Sequence, residues 1–255
     1  MLVICNGAAK SGSTWLHNIL IRLVEFERPP NEYLTRNSRQ RTTNPCIRPD
    51  RLADFLSRED FRSRDYISKN HLGREQHRDL LLAHAEVFVF GIERNIRDVV
   101  VSAYHDTRNR HGYSGSFSDY YWREGRFTAD EVIRYHRVWR GAGPRFCMAS
   151  YEALHGDFAS EARRIGATLG IAIEQERAEA LREQTSIGRL RKRYADEALY
   201  RGERFFRKGV VGDWQNHFDP AMVRDIERIE SSGIGPLDWR GWRRRISAEL
   251  RPGRR

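Results

Sequence analysis

At 255 residues, with 39% hydrophobic residues and a mean hydropathy of −0.72, the chain is long enough to bury one sizeable core and too polar for a membrane protein. No apolar run approaches the roughly 20 residues a membrane span needs, and Cys5, Cys46 and Cys147 lie too far apart for a zinc-finger spacing or a disulfide framework. The net charge of +10 and the pI near 9.9 suit a polyanionic ligand, yet no zinc-finger or RNP-type signature points to nucleic acid. These features predict a single domain over residues 1–255 in a reducing, cytoplasmic setting. Met1 runs straight into a strand with no leader, and Arg240, Arg243, Arg244, Arg245, Arg251, Arg254 and Arg255 form a basic, frayed tail from about residue 240.

In chain order, Leu2 to Cys5 reads as a short buried strand. A turn over Gly7, Ala8, Ala9, Lys10, Ser11, Gly12, Ser13 and Thr14 leads into a helix whose apolar face is Trp15, Leu16, Ile19, Leu20 and Leu23. A strand, a glycine-containing turn and a helix start form a phosphate cradle: backbone N–H groups and the helix dipole aim at an anion, and Lys10 adds a full positive charge. Residues 26–50 lose all periodicity and hold Pro29, Pro30, Pro45 and Pro49, which predicts a long loop acting as a substrate-side lid. Asp50 is placed to cap a short helix carrying Leu52, Phe55 and Leu56.

Residues 65–71 read as a second strand ending in Lys69, Asn70 and His71, followed by a helix with Leu80, Leu81 and Leu82. The run Val87–Ile92 is typical of a parallel strand buried on both faces, and Arg94 opens the segment into the next helix, which carries Ser102 and Tyr104. Residues 112–127 predict a loop, and Thr128 with Glu131 has capping-box spacing for the helix bearing Val132, Tyr135 and Trp139. Residues 145–150 read as a fourth strand ending at Tyr151; Asp157 caps a helix closed by Gly170, and another helix covers roughly 173–184. Residues 187–209 are rich in Arg and Lys, and Asp219–Pro220 starts a last helix with Met222, Val223, Ile226 and Ile229. Alternating strands and helices predict an α/β domain with a central parallel sheet, in which ligands bind at the carboxyl ends of the strands. Lys10, His71, Arg94 and Tyr151 follow four successive strands, as such a site requires.

The turn is not the common ATP loop, because Ser13 stands where that motif has its lysine, and no acidic pair is placed to hold magnesium; no metal is expected. Three segments instead resemble the sulfotransferases that use 3′-phosphoadenosine 5′-phosphosulfate (PAPS). AAKSGSTWL, residues 8–16, is similar to their 5′-phosphosulfate loop. FVFGIERNIRDVVVSAYH, residues 88–105, is similar to their 3′-phosphate segment, and RKGVVGDWQNHF, residues 207–218, to an element of the cytosolic branch. Lys69-Asn70-His71 resembles the Lys-Thr/Ser-His of that branch. Ala9 and Ile96 replace prolines of the pattern and remove no reacting group.

The resemblance implies a P-loop-like domain with PAPS as co-substrate, and sulfuryl transfer to a hydroxyl of a small molecule. It puts Lys10 at the leaving oxygen and Ser11, Gly12, Ser13 and Thr14 on the 5′-phosphate, with Trp15 on the adenine. It puts Arg94, Ser102, Arg207, Lys208 and the Gly209 backbone on the 3′-phosphate, and Tyr151, Thr185 and Ser186 on the adenine side. It also implies that residues 187–208 fold over the nucleotide. The acceptor hydroxyl must lose a proton, and His71, beside Lys69 at a ligand-facing strand end, is the leading general base. Lys69 assists at the sulfuryl group. His105, His17, Asp106 and Glu75 stay open as rivals. Two other classes remain: a small-molecule kinase with a degenerate loop, and a non-enzymatic module that binds polyanions or nucleic acid. The acceptor's identity and the oligomeric state are not legible in the sequence.

Overall fold

The computed structural model describes residues 1–39, 43–195, 206–235 and 238–239. The basic tail from residue 240, and residues 196–205 of the basic segment, lie outside them. In chain order the strands and helices begin with β1 (Leu2–Asn6), α1 (Ser13–Leu20), α2 (Arg36–Arg39), α3 (Leu52–Leu56), β2 (Tyr66–Asn70), α4 (Glu75–Leu82) and β3 (Val87–Glu93). There follow α5 (Ile96–His111), α6 (Phe117–Tyr120), α7 (Arg126–Trp139) and β4 (Phe146–Ser150). The rest are α8 (Tyr151–Gly156), α9 (Phe158–Thr168), α10 (Gln175–Gln184), α11 (Ile187–Arg193) and α12 (Pro220–Ser232). No helix of the described residues is long and apolar enough to cross a membrane.

Contacts group the chain into two compact units, Met1–Arg94 with Tyr135–Val211, and Asn95–Arg134 with the described part of Gly212–Arg255. The first unit holds the sheet. Its four strands run parallel in the order β2-β1-β3-β4, with Cys5 in register with Lys69 and with Phe90. Every side chain of β1 is buried, which is why its sequence is a continuous apolar run instead of an alternating one. Leu16, Ile19 and Leu20 of α1 pack with Val3, Cys5, Ile67 and Phe90, and β4, α9 and α10 add Cys147, Ala162, Ile165 and Leu181. Each such aliphatic chain taken out of water contributes roughly 1.5–3 kcal/mol. Cys5 and Cys147 are buried thiols, as expected.

Local differences from the sequence reading have physical causes. The described parts of the segment at 26–50, residues 26–39 and 43–50, are docked on the protein instead of being a structureless loop. Leu34 and Ile47 form an antiparallel bridge, Tyr33, Leu34 and Ile47 are buried, and Ile47 N–H donates to Ser68 Oγ of β2 at 2.8 Å. Asp50 caps nothing: Arg48 holds its carboxylate, with Nε 3.1 Å from Oδ1. Residues 112–127 contain α6 and a π turn over Tyr121–Gly125, because Phe117, Tyr120 and Tyr121 have a core to enter. The capping box lies at Ser116 and Asp119, not at Thr128 and Glu131. The backbone reaches α7 already helical, and the Thr128 hydroxyl donates back to the Glu124 carbonyl at 3.4 Å. Asp157 and Asp219 cap α9 and α12 as their positions predict.

The second unit packs Val100, Tyr104, Phe117 and Tyr121 against Met222 and Ile226. Asp225 accepts from Tyr121 Oη at 3.0 Å and from both Arg126 Nε and Nη2, tying α12 to the start of α7. The Asp98 carboxylate, 1% exposed, accepts from the backbone N–H of Gly212 at 2.7 Å and of Trp214 at 2.9 Å. Removing it orphans both donors. Asp98→Ala is expected to cost about 2–3 kcal/mol in urea unfolding, with Asp98→Asn in between; a loss below about 0.5 kcal/mol would show that water replaces the carboxylate.

Candidate functional site

The loop between β1 and α1 is shaped by two close approaches. A Cβ on Gly7 would lie 2.8 Å from both Ile92 Cγ2 and Ser13 Cβ, and one on Gly12 would lie 2.7 Å from the Tyr151 ring. Gly12 has φ 102°, and Lys10, with no such licence, is held at φ 65°. A left-handed lysine costs on the order of 1 kcal/mol or more, and such strain gathers where chemistry needs a fixed geometry. The Ser11 N–H turns back to the Ala8 carbonyl at 3.3 Å. Its hydroxyl is fully buried and has no hydrogen-bond partner among the described residues. Gly12 is the N-cap of α1, and no side chain caps that end. Leading amides of a helix have no intrahelical acceptor, so this loop presents helix-end donors beside the charge of Lys10. An anion fits that deficit.

His71 is the first residue after β2 and sits against this loop. Two hydrogen bonds put it there: the Asn6 side chain donates to the Leu72 carbonyl at 3.2 Å and accepts from the Leu72 N–H at 2.6 Å. Trp139 Nε1 donates to the same Leu72 carbonyl at 2.6 Å, and the Tyr135 hydroxyl donates to the Asn6 carbonyl. His71 Nδ1 meets the Gly7 carbonyl. A carbonyl only accepts, so in the neutral ring Nδ1 carries the proton and Nε2 is the basic nitrogen. The ring is open to water although protein surrounds it on most sides, and it titrates below the ordinary imidazole range. Desolvation is the main cause and the Lys69 ammonium the second, opposed by the bond to Gly7. Lys69, on β2, exerts the same repulsion on His17.

Arg94, directly after β3, stacks its guanidinium 4.2 Å from the Tyr151 ring centroid. Its Nη1 donates to the Lys10 carbonyl at 3.4 Å and its Nη2 to the Val210 carbonyl at 3.1 Å, so one arginine joins the phosphate-type loop to residues 206–211. Arg191 of α11 holds the same segment, donating to the carbonyls of Phe206 and Arg207. Gly209 turns at φ 64° against Ile187. Trp15 donates from Nε1 to Thr185 Oγ1 at 3.1 Å and meets Tyr151 edge-on at 5.5 Å.

Of the expected residues, Lys10, Ser11, Gly12, Ser13, Thr14, Trp15, Lys69, His71, Arg94, Tyr151, Thr185, Ser186, Arg207, Lys208 and Gly209 all belong to the first unit. Ser186 is exposed at the N-cap of α11. Ser102, half-buried on α5, belongs to the second unit, as do His105 and Asp106, and Glu75 is exposed at the start of α4. Sequence reasoning missed Asn6, Tyr135, Trp139 and Arg191. For Asn6 a signal existed, a buried amide closing an apolar strand; the other three look like ordinary helix residues.

The Sulfotransferase domain family profile matches residues 2–232. A flavonol sulfotransferase-like protein of Flaveria bidentis is 24% identical over 260 residues, 89% of this chain and 81% of that one. Sulfotransferase 6B1 of Danio rerio is 25% identical over 149 residues, and the match spans 55% of this chain and half the length of that relative, 50%. A glycolipid sulfotransferase of Mycobacterium bovis is 32% identical over 107 residues, 39% of this chain and 32% of its own length. A mouse sulfotransferase crystallised with PAP shares the fold at a TM-score of 0.63 and 19% identity, covering 89% of this chain and 81% of that one.

His17 lies on α1 two positions beyond Trp15, is 2% exposed, and has no hydrogen-bond partner on either ring nitrogen among the described residues. Burial pushes its pKa down to about 3, helped by Lys69, Arg193 and Arg22. A ring so enclosed cannot exchange a proton with a substrate. In the unfolded chain it takes up a proton near pH ~6.5, and in the folded chain only near pH 3, so stability falls as pH drops through that window. His17→Leu should lose about 2 kcal/mol less than the wild type between pH 7 and pH 5, measured from urea midpoints at both; equal losses would place the acid sensitivity elsewhere.

Proposed function

The chain belongs to the sulfotransferase family, and we propose that it moves the sulfuryl group of PAPS onto a hydroxyl of a small-molecule acceptor. The observation that carries this reading is the Ser11 hydroxyl, buried and orphaned in a loop whose helix end no side chain caps. A phosphosulfate is the anion that answers that deficit.

Ser11, Gly12, Ser13 and Thr14 would hold the 5′-phosphate through backbone and hydroxyl donors. Lys10 stabilises the negative charge that builds on the oxygen linking phosphate to sulfur. A cation fixed beforehand does this without reorganising, which is where most of the rate advantage of such a site arises. Trp15, Tyr151, Thr185 and Ser186 bound the adenine side. Arg94 with Arg207, Lys208 and the Gly209 backbone binds the 3′-phosphate; the planar guanidinium suits two phosphate oxygens at once. The stacking of Arg94 on Tyr151 supports this role, since it holds the fork in place before the ligand arrives.

His71 accepts the acceptor's hydroxyl proton on Nε2 as that oxygen attacks sulfur in line with the departing nucleotide. The Gly7 carbonyl fixes the tautomer, burial keeps the ring neutral, and Lys69 adds to that while supplying positive charge near the sulfuryl oxygens. A small hydroxylated acceptor is supported by the relatives' names, among them a flavonol sulfotransferase-like protein and the 3-beta-hydroxysteroid sulfotransferase of Cavia porcellus.

Adenosine 3′,5′-bisphosphate at a hundred times its Kd should raise Tm by roughly 5–10 °C, by mass action on a chain of this size; ATP with magnesium should raise it by less. A larger shift with ATP would turn the reading toward a kinase. Arg94→Ala should lose much of the bisphosphate shift and little of the smaller shift given by adenosine 5′-phosphate. His71→Ala should lower turnover of PAPS with flavonol or hydroxysteroid acceptors by about 10²–10⁴-fold while keeping the wild-type shift with the bisphosphate. Full turnover in that variant would remove His71 from the base role.

A further inference from the structure

The second unit gathers a cluster of ligating side chains that the sulfuryl chemistry does not use. His105 projects from α5, Asp213 opens a single 3₁₀ turn over Asp213–Asn216, and His217 closes it. One donor atom from each of the three lies within 4.8 Å of the others, and His217 Nε2 is 3.7 Å from Asp213 Oδ2. The imidazoles of His105 and His217 face edge to plane, 5.4 Å between centroids at 78°. Asp213 is 5% exposed.

The turn that carries two of these residues is held firmly. Asp98, in the first turn of α5, accepts the Gly212 and Trp214 amides, and Arg97 stacks 5.1 Å from the Trp214 ring centroid. Gly212, at φ 85°, makes the bend that lets Asp213 start the turn. Asn216 Nδ2 donates to Asp213 Oδ1 at 3.2 Å, which leaves Oδ2 turned toward His217. Phe117, 5.2 Å from the His217 ring, and Tyr104 wall the cluster on its inner side. A carboxylate beside two imidazoles, with a second-layer amide orienting the carboxylate and an apolar wall behind, is the architecture of a three-ligand metal centre.

We propose that His105, Asp213 and His217 bind a divalent transition-metal ion of the zinc class, with a fourth position left to water. Two imidazoles and one carboxylate select a borderline ion over magnesium or calcium, which require oxygen ligands. Tetrahedral ligands at about 2.0–2.1 Å from zinc stand roughly 3.4 Å apart. The observed spacing closes to that by rotation of the two half-buried imidazoles, with the backbone staying as Asp98 holds it. The ion would join α5 to the turn at Asp213–Asn216, adding to the Asp98 bridge a link that depends on metal supply. Sequence spacing hides this site, because its ligands are 112 residues apart at the extremes, His105 and His217, and include no cysteine.

The test uses the full chain stripped with a chelator and dialysed against zinc(II), then cobalt(II). One equivalent of zinc should bind, raise Tm, and be displaceable by cobalt with the visible absorption of a tetrahedral site. His217→Gln and His105→Gln, each judged folded by circular dichroism, should each weaken binding at least 10-fold and abolish the cobalt band. Absence of stoichiometric binding in the wild type overturns the proposal. So does unchanged zinc affinity in both variants, which would assign the metal to other histidines. If one variant fails to fold, the other decides. A sub-stoichiometric ion with no cobalt band counts against the site.

Discussion

The side chain of Asn6 grips the chain on the far side of a strand boundary, and much else rests on that grip. Asn6 ends β1 and takes both the N–H and the carbonyl of Leu72, just past the end of β2. Parallel neighbours in a sheet finish side by side, but the backbone beyond them has no ladder to follow. An amide that satisfies one donor and one acceptor of the same residue supplies the missing ladder rung. His71 is then one residue from a fixed point, and its ring reaches the Gly7 carbonyl in the anion loop. Tyr135 and Trp139, one helical turn apart on α7, close over the same junction. His71 and the loop between β1 and α1 are thereby parts of one hydrogen-bonded unit. Because its polar groups are buried, breaking any member leaves another orphaned, so the unit resists partial failure poorly and fixes position well.

The electrostatics of this end of the sheet follow a consistent rule. Cations converge on it: Lys10 in the loop, Lys69 on β2 and Arg94 after β3. In the absence of an anion they repel one another, and the protein absorbs part of that cost by turning backbone carbonyls toward them. Arg94 engages the carbonyls of Lys10 and Val210. Arg191 engages those of Phe206 and Arg207. Burial is the main reason that both neighbouring histidines stay neutral, and the same positive field adds to it. A dianionic or trianionic ligand would relieve that repulsion, so the charges that favour an anion here also add to the neutrality of His71.

Most of what places the site was legible. Strands buried on both faces announce themselves as unbroken apolar runs, and in a parallel sheet the residue after each run must lie on the ligand edge. That argument alone singles out Lys10, His71, Arg94 and Tyr151, and all four fall in one unit. The segment at 26–50 reads as a loop because its buried residues, Tyr33, Leu34 and Ile47, follow no period: Leu34 and Ile47 form a bridge, and bridges pair residues by tertiary contact. The bonds made by Asn6, Arg191 and Trp139 were invisible for a related reason. Their partners are backbone atoms far along the chain, 66 residues away for Asn6, and a carbonyl carries no sequence signature. Thr128 and Glu131 had the right spacing for a cap at a place where the backbone needed none.

The segment at 207–218 shows how one motif can serve two physical ends. Its first half, through Val211, lies in the unit with the anion loop and is held there through carbonyls. Its second half, from Gly212, is held in the other unit through amides, by the Asp98 carboxylate. Carbonyls attract guanidinium groups and amides attract carboxylates, so the change of partner at Gly212 is a change in which face of the peptide is used. The φ of 85° at Gly212 is the conformational price of that change, and a residue with a Cβ would be strained there. Glycine at this position is thus required by the division of the backbone between two sets of opposite charges, independently of any contact that the motif makes with a nucleotide.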